Sequence, residues 1–249
     1  MILKILLAAF LSLTAIQYHS VSGALPPGWR TCGKSHPDYN KCLKEAAQLA
    51  VLSIANNGQK KYGVFPADPL HFEKILLDQS SGPVRVKVDF SETDLTGFKN
   101  LVIEGISWNG AEMAFNASVP KLNLYGDYRI QGRVLVLPIV GQGISNITVS
   151  GARIMTRWNL PEKGKGKEKH FHAENLGLKV HGSKVDFHFT NLFNGDKRLG
   201  DNMNKFLNEN WEVIWEEIQP AIQDSFGAAI KEISNRIFSR ISSQELLPS

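Results

Sequence analysis

The sequence predicts an α+β fold in which an amphipathic helix, an antiparallel sheet and a long C-terminal helical run follow one another. From Val84 the apolar residues alternate with polar ones: Val84, Val86, Val88 and Phe90 face one way, and Arg85, Lys87 and Asp89 the other. That is the period of a half-buried strand. Short turn signals such as Gln131-Gly132, Gly141-Gln142-Gly143 and His181-Gly182-Ser183 divide the later runs, which favours an antiparallel meander over parallel crossovers. From Leu199 to Ile241 the period becomes helical, through Met203, Leu207, Ile214, Ile218, Ile222, Phe226, Ile230 and Ile237.

The N-terminus reads Met1-Ile2-Leu3-Lys4, an apolar stretch from Ile5 to Ile16, and small residues at Ser22, Gly23 and Ala24. This is the pattern of a secretory signal peptide, residues 1–24, cleaved after Gly23 or Ala24. Residues 25–249 then form a single domain. A helix begins near Asp38, runs through Leu43, Ala47, Leu49, Ala50 and Ile54, and ends at Asn56-Asn57-Gly58. Tyr62 to Leu70 is an extended connector, because Pro66 and Pro69 exclude both a helix interior and a central strand. The sheet continues through Leu122, Leu124, Tyr128 and Ile130, Val134 to Ile139, Ile147 and Val149, Ile154 and Trp158, Leu176 to Val180, and Val185 to Phe189. Between them Pro161 to Lys169 is a charged, glycine-interrupted loop, read as a mobile hairpin tip. A continuous helix from Leu199 to Ile241 would reach roughly 60 Å, and Pro220 predicts a kink near Glu216 to Gln219. The sheet upstream should cover its apolar stripe.

The chain has 28 Lys and Arg against 24 Asp and Glu, a formal net charge of +4. That excess is too small to argue for nucleic acid. No segment after the leader is long and apolar enough to span a bilayer, so the mature chain is expected to be secreted, without stable membrane insertion. An oxidising compartment would pair its cysteines, Cys32 and Cys42. Asn116-Ala117-Ser118 and Asn146-Ile147-Thr148 are N-glycosylation sequons in such a chain.

No Gly-x-Ser-x-Gly elbow, phosphate loop, dinucleotide fingerprint or His-Glu-x-x-His helix occurs. The chain is therefore expected not to be an enzyme, and to need no cofactor. His170, His172, His181 and His188 are the best candidates for a metal or catalytic group, but no carboxylate or cysteine stands in matching ligand spacing. No metal is expected. Many inward apolar positions on sheet and helix can fill a dry core or enclose a pocket, and periodicity does not distinguish the two.

Several motifs, in order, are similar to those of the insect takeout and haemolymph juvenile-hormone-binding protein family. They are Leu25-Pro26-Pro27-Gly28-Trp29 before Cys32, the short Cys32 to Cys42 spacing, Phe65-Pro66-Ala67-Asp68-Pro69-Leu70, Tyr125 to Gly132 and Leu137 to Gly143. The most specific is Asn191-Leu192-Phe193-Asn194-Gly195-Asp196, followed by Leu199-Gly200 and Phe206 to Trp211. The resemblance covers nearly all of the mature chain. It departs at the tail, Ile241 to Pro248, where such proteins often carry a proline and an aromatic near the helix end, which leaves the closure of that end open.

The resemblance implies a long C-terminal helix wrapped by a strongly curved antiparallel sheet, enclosing an apolar tunnel. It also implies the Cys32–Cys42 disulfide. A secreted carrier of juvenile hormone, another terpenoid or a fatty-acid-like lipid is the function it implies, with a link to circadian output and feeding. The alternative is a secreted signalling protein acting through its surface on a receptor or membrane. The expected tunnel lining is Phe65 and Leu70 from the connector, Leu122 and Leu124 from the sheet, and Ile214, Ile218, Ile222 and Phe226 from the helix. Tyr128 shares the phase of Leu122 and Leu124, so its hydroxyl is a candidate polar contact for the ligand, the other role being a bond to nearby backbone. The protein is expected to act as a monomer, and its protein partner, if it has one, is not readable.

Overall fold

The computed structural model describes residues 25–248, the side chain of Lys167 excepted. The predicted signal peptide and its cleavage site lie outside the described residues. In chain order the elements are α1 (Tyr39–Asn57), β1 (Leu70–Gln79), β2 (Val84–Thr96), β3 (Val102–Trp108), β4 (Glu112–Val134) and β5 (Leu137–Asn159). There follow β6 (Glu162–Lys163), β7 (His170–Phe171), β8 (Leu176–His181), β9 (Lys184–Phe189), α2 (Lys197–Glu209), α3 (Trp211–Phe238) and α4 (Ser243–Leu246). The order helix, sheet, long helix is as the sequence predicts.

The main sheet is antiparallel throughout, in the order β1-β2-β4-β5-β8, with β3 also on β4 and β9 also on β5. Its spine is the hairpin of β4 and β5, each 23 residues long. These strands do not keep one face inward along their length. On β4 the buried positions are Ala117 and Val119, and then, past Pro120 and Lys121, Leu122 and Leu124. On β5 they are Ile147 and Val149, and then Ala152 and Ile154. The slip lies at Ser150 and Gly151, opposite Lys121, and Gly151 takes φ 56. β2 makes the same change at Glu92, φ 47, where its register with β4 shifts between Ser91 and Asp94. An extra residue in the alternation bends a strand; β4 and β5 slip together at Lys121 and Ser150, and β2 slips opposite Gly126, five residues further along β4. The sheet therefore curves, and α3 packs against β1, β2, β8 and β9. The sheet is not closed.

Helices seal its edges with side-chain amides. Asn208 accepts from Phe187 N at 2.7 Å and donates to Phe187 O at 2.9 Å, and Asn204 does the same for Phe189, both at 2.9 Å. Four helical residues rise about 6.0 Å and two strand residues about 6.6 Å, so this spacing on α2 matches alternate residues of β9. Gln48 on α1 accepts from Ile103 N at 2.7 Å and donates to Leu101 O at 2.8 Å. Asn235 on α3 serves Ala173 N and O at 2.7 and 3.0 Å. A carboxamide offers one donor and one acceptor side by side, as a neighbouring strand does.

The C-terminal run breaks at Asn210, between α2 and α3, and not at Pro220. Asn210 leaves helical geometry at φ −113 and ψ 24 while its side chain donates to Phe206 O at 2.8 Å. Pro220 sits on the exposed side of α3, where the carbonyl it leaves without an N–H partner faces water, so the helix runs through it. The loop from Pro161 to Lys169 is also better held than its composition suggests. Its base is the β6–β7 ladder, Phe171 is buried, and Lys169 pairs with Glu162 at 3.2 Å and Lys163 with Glu174 at 2.9 Å.

Candidate ligand-binding site

Two apolar cavities lie between α3 and the concave face of the sheet. The first holds about 740 Å³ of space not filled by atoms, the solvent at its mouth included. Leu70 and Leu95, Leu122 and Leu124, Ile147 and Val149, and Leu178 and Val180 line its sheet side, and Trp215, Ile222, Phe226 and Ile230 its helix side. The second, about 460 Å³ counted in the same way, lies between Val84, Val134, Ile139 and Phe187 on the sheet and Ile214 and Ile218 on α3. Ile147 and Ile222 border both. This shared border, with one residue from β5 and one from α3, is the partition between the two.

Neither wall contains an ionisable carboxylate, lysine, arginine or histidine. The polar side chains in the first are Gln223 and the Trp215 indole. With its amide nitrogen turned toward Leu178, Gln223 reaches Leu178 O at 2.8 Å and Val180 N at 3.2 Å, sealing β8 as the other carboxamides seal their strands. Phe98 stands at the rim of the first cavity. The buried Asp68 carboxylate holds its turn, accepting from Gly97 N at 3.2 Å and Lys99 N at 2.7 Å.

Of the residues predicted from sequence, Leu70, Leu122, Leu124 and Phe226 border the first cavity, Ile214 and Ile218 the second, and Ile222 both. Phe65 is not part of either wall and is 78% exposed. The extended chain there turns Val64 inward, where it bridges Gln59, and so sends the next side chain out to solvent. Tyr128 is buried, but its ring packs on Phe189 at 4.7 Å and its hydroxyl donates to Thr190 O at 2.6 Å. Burial pushes its pKa up to about 12. The hydroxyl predicted as a ligand contact is taken by backbone. Trp215 was missed by sequence reasoning, although it stands two helical turns before Ile222 and therefore on the same stripe.

Among the described residues no group of histidine, cysteine or acidic side chains could hold a metal ion. His170 instead lies 3.0 Å from Phe238 O and 2.9 Å from Ile241 O, tying down the end of α3. The tail beyond it is docked. Ser242 and Glu245 form a reciprocal helix cap, Ser243 N donates to Lys169 O at 2.8 Å, and Leu246 and Leu247 pack with Trp158 and Phe171. Cys32 and Cys42 are disulfide-bonded, and Lys34 N donates to Pro248 O at 3.0 Å, so the N-terminal arm lies on the same end. Asn116 and Asn146 are exposed on β4 and β5.

The sequence profile described as haemolymph juvenile hormone binding protein matches residues 6–248. The chain belongs to this family. It is similar to the circadian clock-controlled protein daywake of Drosophila melanogaster, with 28% identity over 213 residues, 80% of each chain. The fold is similar to that of the crystal structure of Epiphyas postvittana Takeout 1, with a TM-score of 0.79 at 22% identity over 88% of this chain and 99% of that one.

The family's most specific motif here, Asn191 to Asp196, lines neither cavity. Asn191, Phe193 and Asn194 take left-handed geometry, Leu192 is 1% exposed and bridges Gly141, and Asn191 Nδ2 donates to Gln142 O at 2.7 Å. Asp196 then caps α2 by accepting from Leu199 N at 3.0 Å. A Cβ at Gly141 would come within 2.7 Å of the Tyr128 hydroxyl and 2.9 Å of Leu192, so only glycine admits this approach. Two of the motifs therefore form one latch, fastening the start of α2 to the start of β5.

Proposed function

We propose that the protein is a carrier of a hydrophobic small molecule, held between α3 and the curved sheet. The observation that carries this reading is the pair of apolar cavities that meet at Ile147 and Ile222, with no charged group in either wall. Membership of a family of hydrophobic-ligand binders supports it. Burying about 300 Å² of apolar ligand surface contributes roughly 7 kcal/mol at about 25 cal/mol per Å². Lost translational and rotational freedom offsets part of that, giving affinity in the micromolar range. Such transport needs no catalytic group.

The ligand classes that fit are juvenile hormone, other terpenoids and fatty-acid-like lipids. The carrier acts outside the cell, following the leader-like N-terminus and the haemolymph family, and no described helix is long and apolar enough to cross a membrane. Asn116 and Asn146 are its glycosylation sites, and daywake's name suggests control by the circadian clock. Native mass spectrometry with organic extraction of the secreted, disulfide-intact protein tests the reading. A stoichiometric lipophilic molecule is expected. A protein that is empty and takes up no terpenoid or fatty acid from a panel would overturn it in favour of action through the surface.

A further inference from the structure

The hairpin that joins β4 to β5 ends in aliphatic side chains. Val134 pairs with Leu137, so Leu135 and Val136 make the turn. Leu135 holds φ 54 there, whereas turns of this length favour Gly, Asn or Asp, because a positive φ crowds a larger side chain. Leu135 packs against the core, which leaves Val136 at the apex 81% exposed, with Leu137 and Val140 exposed beside it. Leu135 N donates to Pro83 O at 2.8 Å, so the exposed Pro83 of the β1–β2 turn joins them. None of these residues lines either cavity. Single apolar side chains are ordinary on a surface, but a group of them at one turn, in a conformation its residues disfavour, calls for a partner.

Behind the turn stands a pair of like charges. Arg85 on β2 and Arg133 on β4 are direct cross-strand neighbours, and both are exposed. Like charges placed in this way are destabilising. Neither forms an ion pair among the described residues, and Arg85 Nε donates to Gly82 O at 3.1 Å. The acids at this end are engaged elsewhere: Asp78 faces Lys87 at 3.5 Å, and Glu217 accepts from Gln79 Nε2 at 3.5 Å. An anionic group between the two arginines would turn their repulsion into two charge-assisted hydrogen bonds.

We propose that the β4–β5 turn docks on a phospholipid surface, with Val136 and Leu137 entering the acyl boundary while Arg85 and Arg133 meet headgroup phosphate oxygens. The proposal goes beyond the carrier reading and does not depend on it. Aliphatic side chains backed by arginines match the apolar and anionic layers of such a surface. A protein partner fits less well. A stable interface covers about 800 Å² on each side around buried aromatic anchors, and this turn presents a few aliphatic side chains and no aromatic one. The sequons leave it clear, since Asn146 stands nine residues along β5 from Leu137, about 30 Å of strand.

The test is flotation of the disulfide-intact protein with phosphatidylcholine vesicles containing about one-fifth phosphatidylglycerol, at low salt. Wild-type protein is expected to float with them and to be released as salt is raised. Val136→Asp should weaken binding about tenfold or more, the worth of one buried valine side chain. Arg85→Gln and Arg133→Gln should each weaken it about fivefold. Val136→Trp adds a signal of its own: relative to wild type, its emission should shift to the blue on vesicles and be quenched by brominated acyl chains. Should Val136→Asp not fold, that emission decides. No vesicle binding by the wild type, binding unchanged in Val136→Asp, or an unshifted Val136→Trp emission overturns the proposal. A Val136-dependent dimer in place of vesicle binding also overturns it and gives the turn to a second copy of this chain. The carrier reading stands or falls separately, on whether a lipophilic molecule is extracted or taken up.

Discussion

The two cavities share their chemistry and differ in their cover. Every residue lining the second is buried, whereas Leu70, Phe98, Phe226 and Ile230 around the first are only partly so. The difference follows from the sheet. The second cavity lies beneath Val84 to Phe90 of β2 and the stretches of β4 and β5 paired with them, away from the slip at Lys121 and Ser150. The first lies across the bend, where the chain from β1 to α3 leaves a rim of half-covered aromatic and aliphatic side chains. One space is thus bordered in part by half-covered side chains and the other by buried ones. The partition at Ile147 and Ile222 decides whether a ligand uses both.

The sharpest way to break that comparison is to fill the partition. Ile222→Trp should divide the space so that a ligand long enough to occupy both cavities loses about 100 Å² of buried surface, or roughly 70-fold in affinity at about 25 cal/mol per Å². Ligands short enough for the first cavity should be much less affected. A displacement assay over a series of chain lengths reads this directly, and an equal loss for short and long chains would show that the partition does not separate two compartments.

A smaller effect is expected from filling the enclosed cavity alone. In the wild-type protein each added methylene should strengthen binding about fourfold, from about 0.8 kcal/mol per buried methylene, until the second cavity is full. Val134→Phe should end that rise about two methylenes sooner, costing the longest ligands roughly 15-fold. Beside the first cavity, the rings of Phe72 and Phe226 pack at a tilt with centroids 5.2 Å apart. Phe226→Ala removes this pair, worth about 0.5 to 1.5 kcal/mol beyond its area. Its main consequence should be faster release, by roughly threefold to tenfold in a stopped-flow chase, whereas Val134→Phe should leave release of short ligands unchanged.

How much of this was legible depended on whether period alone carried it. Val84 to Phe90, Leu122 to Ile130 and the α3 stripe have clean periods, and those elements were read from them, with Leu122, Leu124, Ile214, Ile218, Ile222 and Phe226 among the residues that border the cavities. β1 was missed because its alternation slips at Glu73. Leu70 and Phe72 pack inward, then Ile75 and Leu77 do, and Leu76 is left 58% exposed. Neither period fits such a strand. The break at Asn210 was hidden by a louder signal, Pro220, whose cost depends on which side of the helix faces water. The spacing of Asn204 and Asn208 was visible in the sequence, but their role in sealing β9 appears only once α2 is laid along it. Trp215 belongs to the same stripe by spacing, and its place in the first cavity wall appears only once α3 is laid on the sheet.

Tyr128 also has a role that only the fold reveals, and the smallest predicted effect tests it. Tyr128 and Thr190 belong to the latch that holds α2 to β5, outside both cavities. Tyr128→Phe should therefore leave ligand affinity unchanged, while leaving Thr190 O without its donor and lowering stability by about 1 kcal/mol. The alkaline limb of stability should change as well. In the unfolded chain a tyrosine ionises near its ordinary value of about 10, whereas burial holds folded Tyr128 to about 12. Between those values the folded state binds more protons than the unfolded state, so stability falls as pH rises. Tyr39 and Tyr62 are shifted upward too, so denaturant melts of the Tyr128→Phe variant from about pH 9 to 12 should show a shallower decline and not a flat one. A loss of ligand affinity in Tyr128→Phe with stability unchanged would show that the Tyr128 hydroxyl contacts the ligand and does not serve the latch.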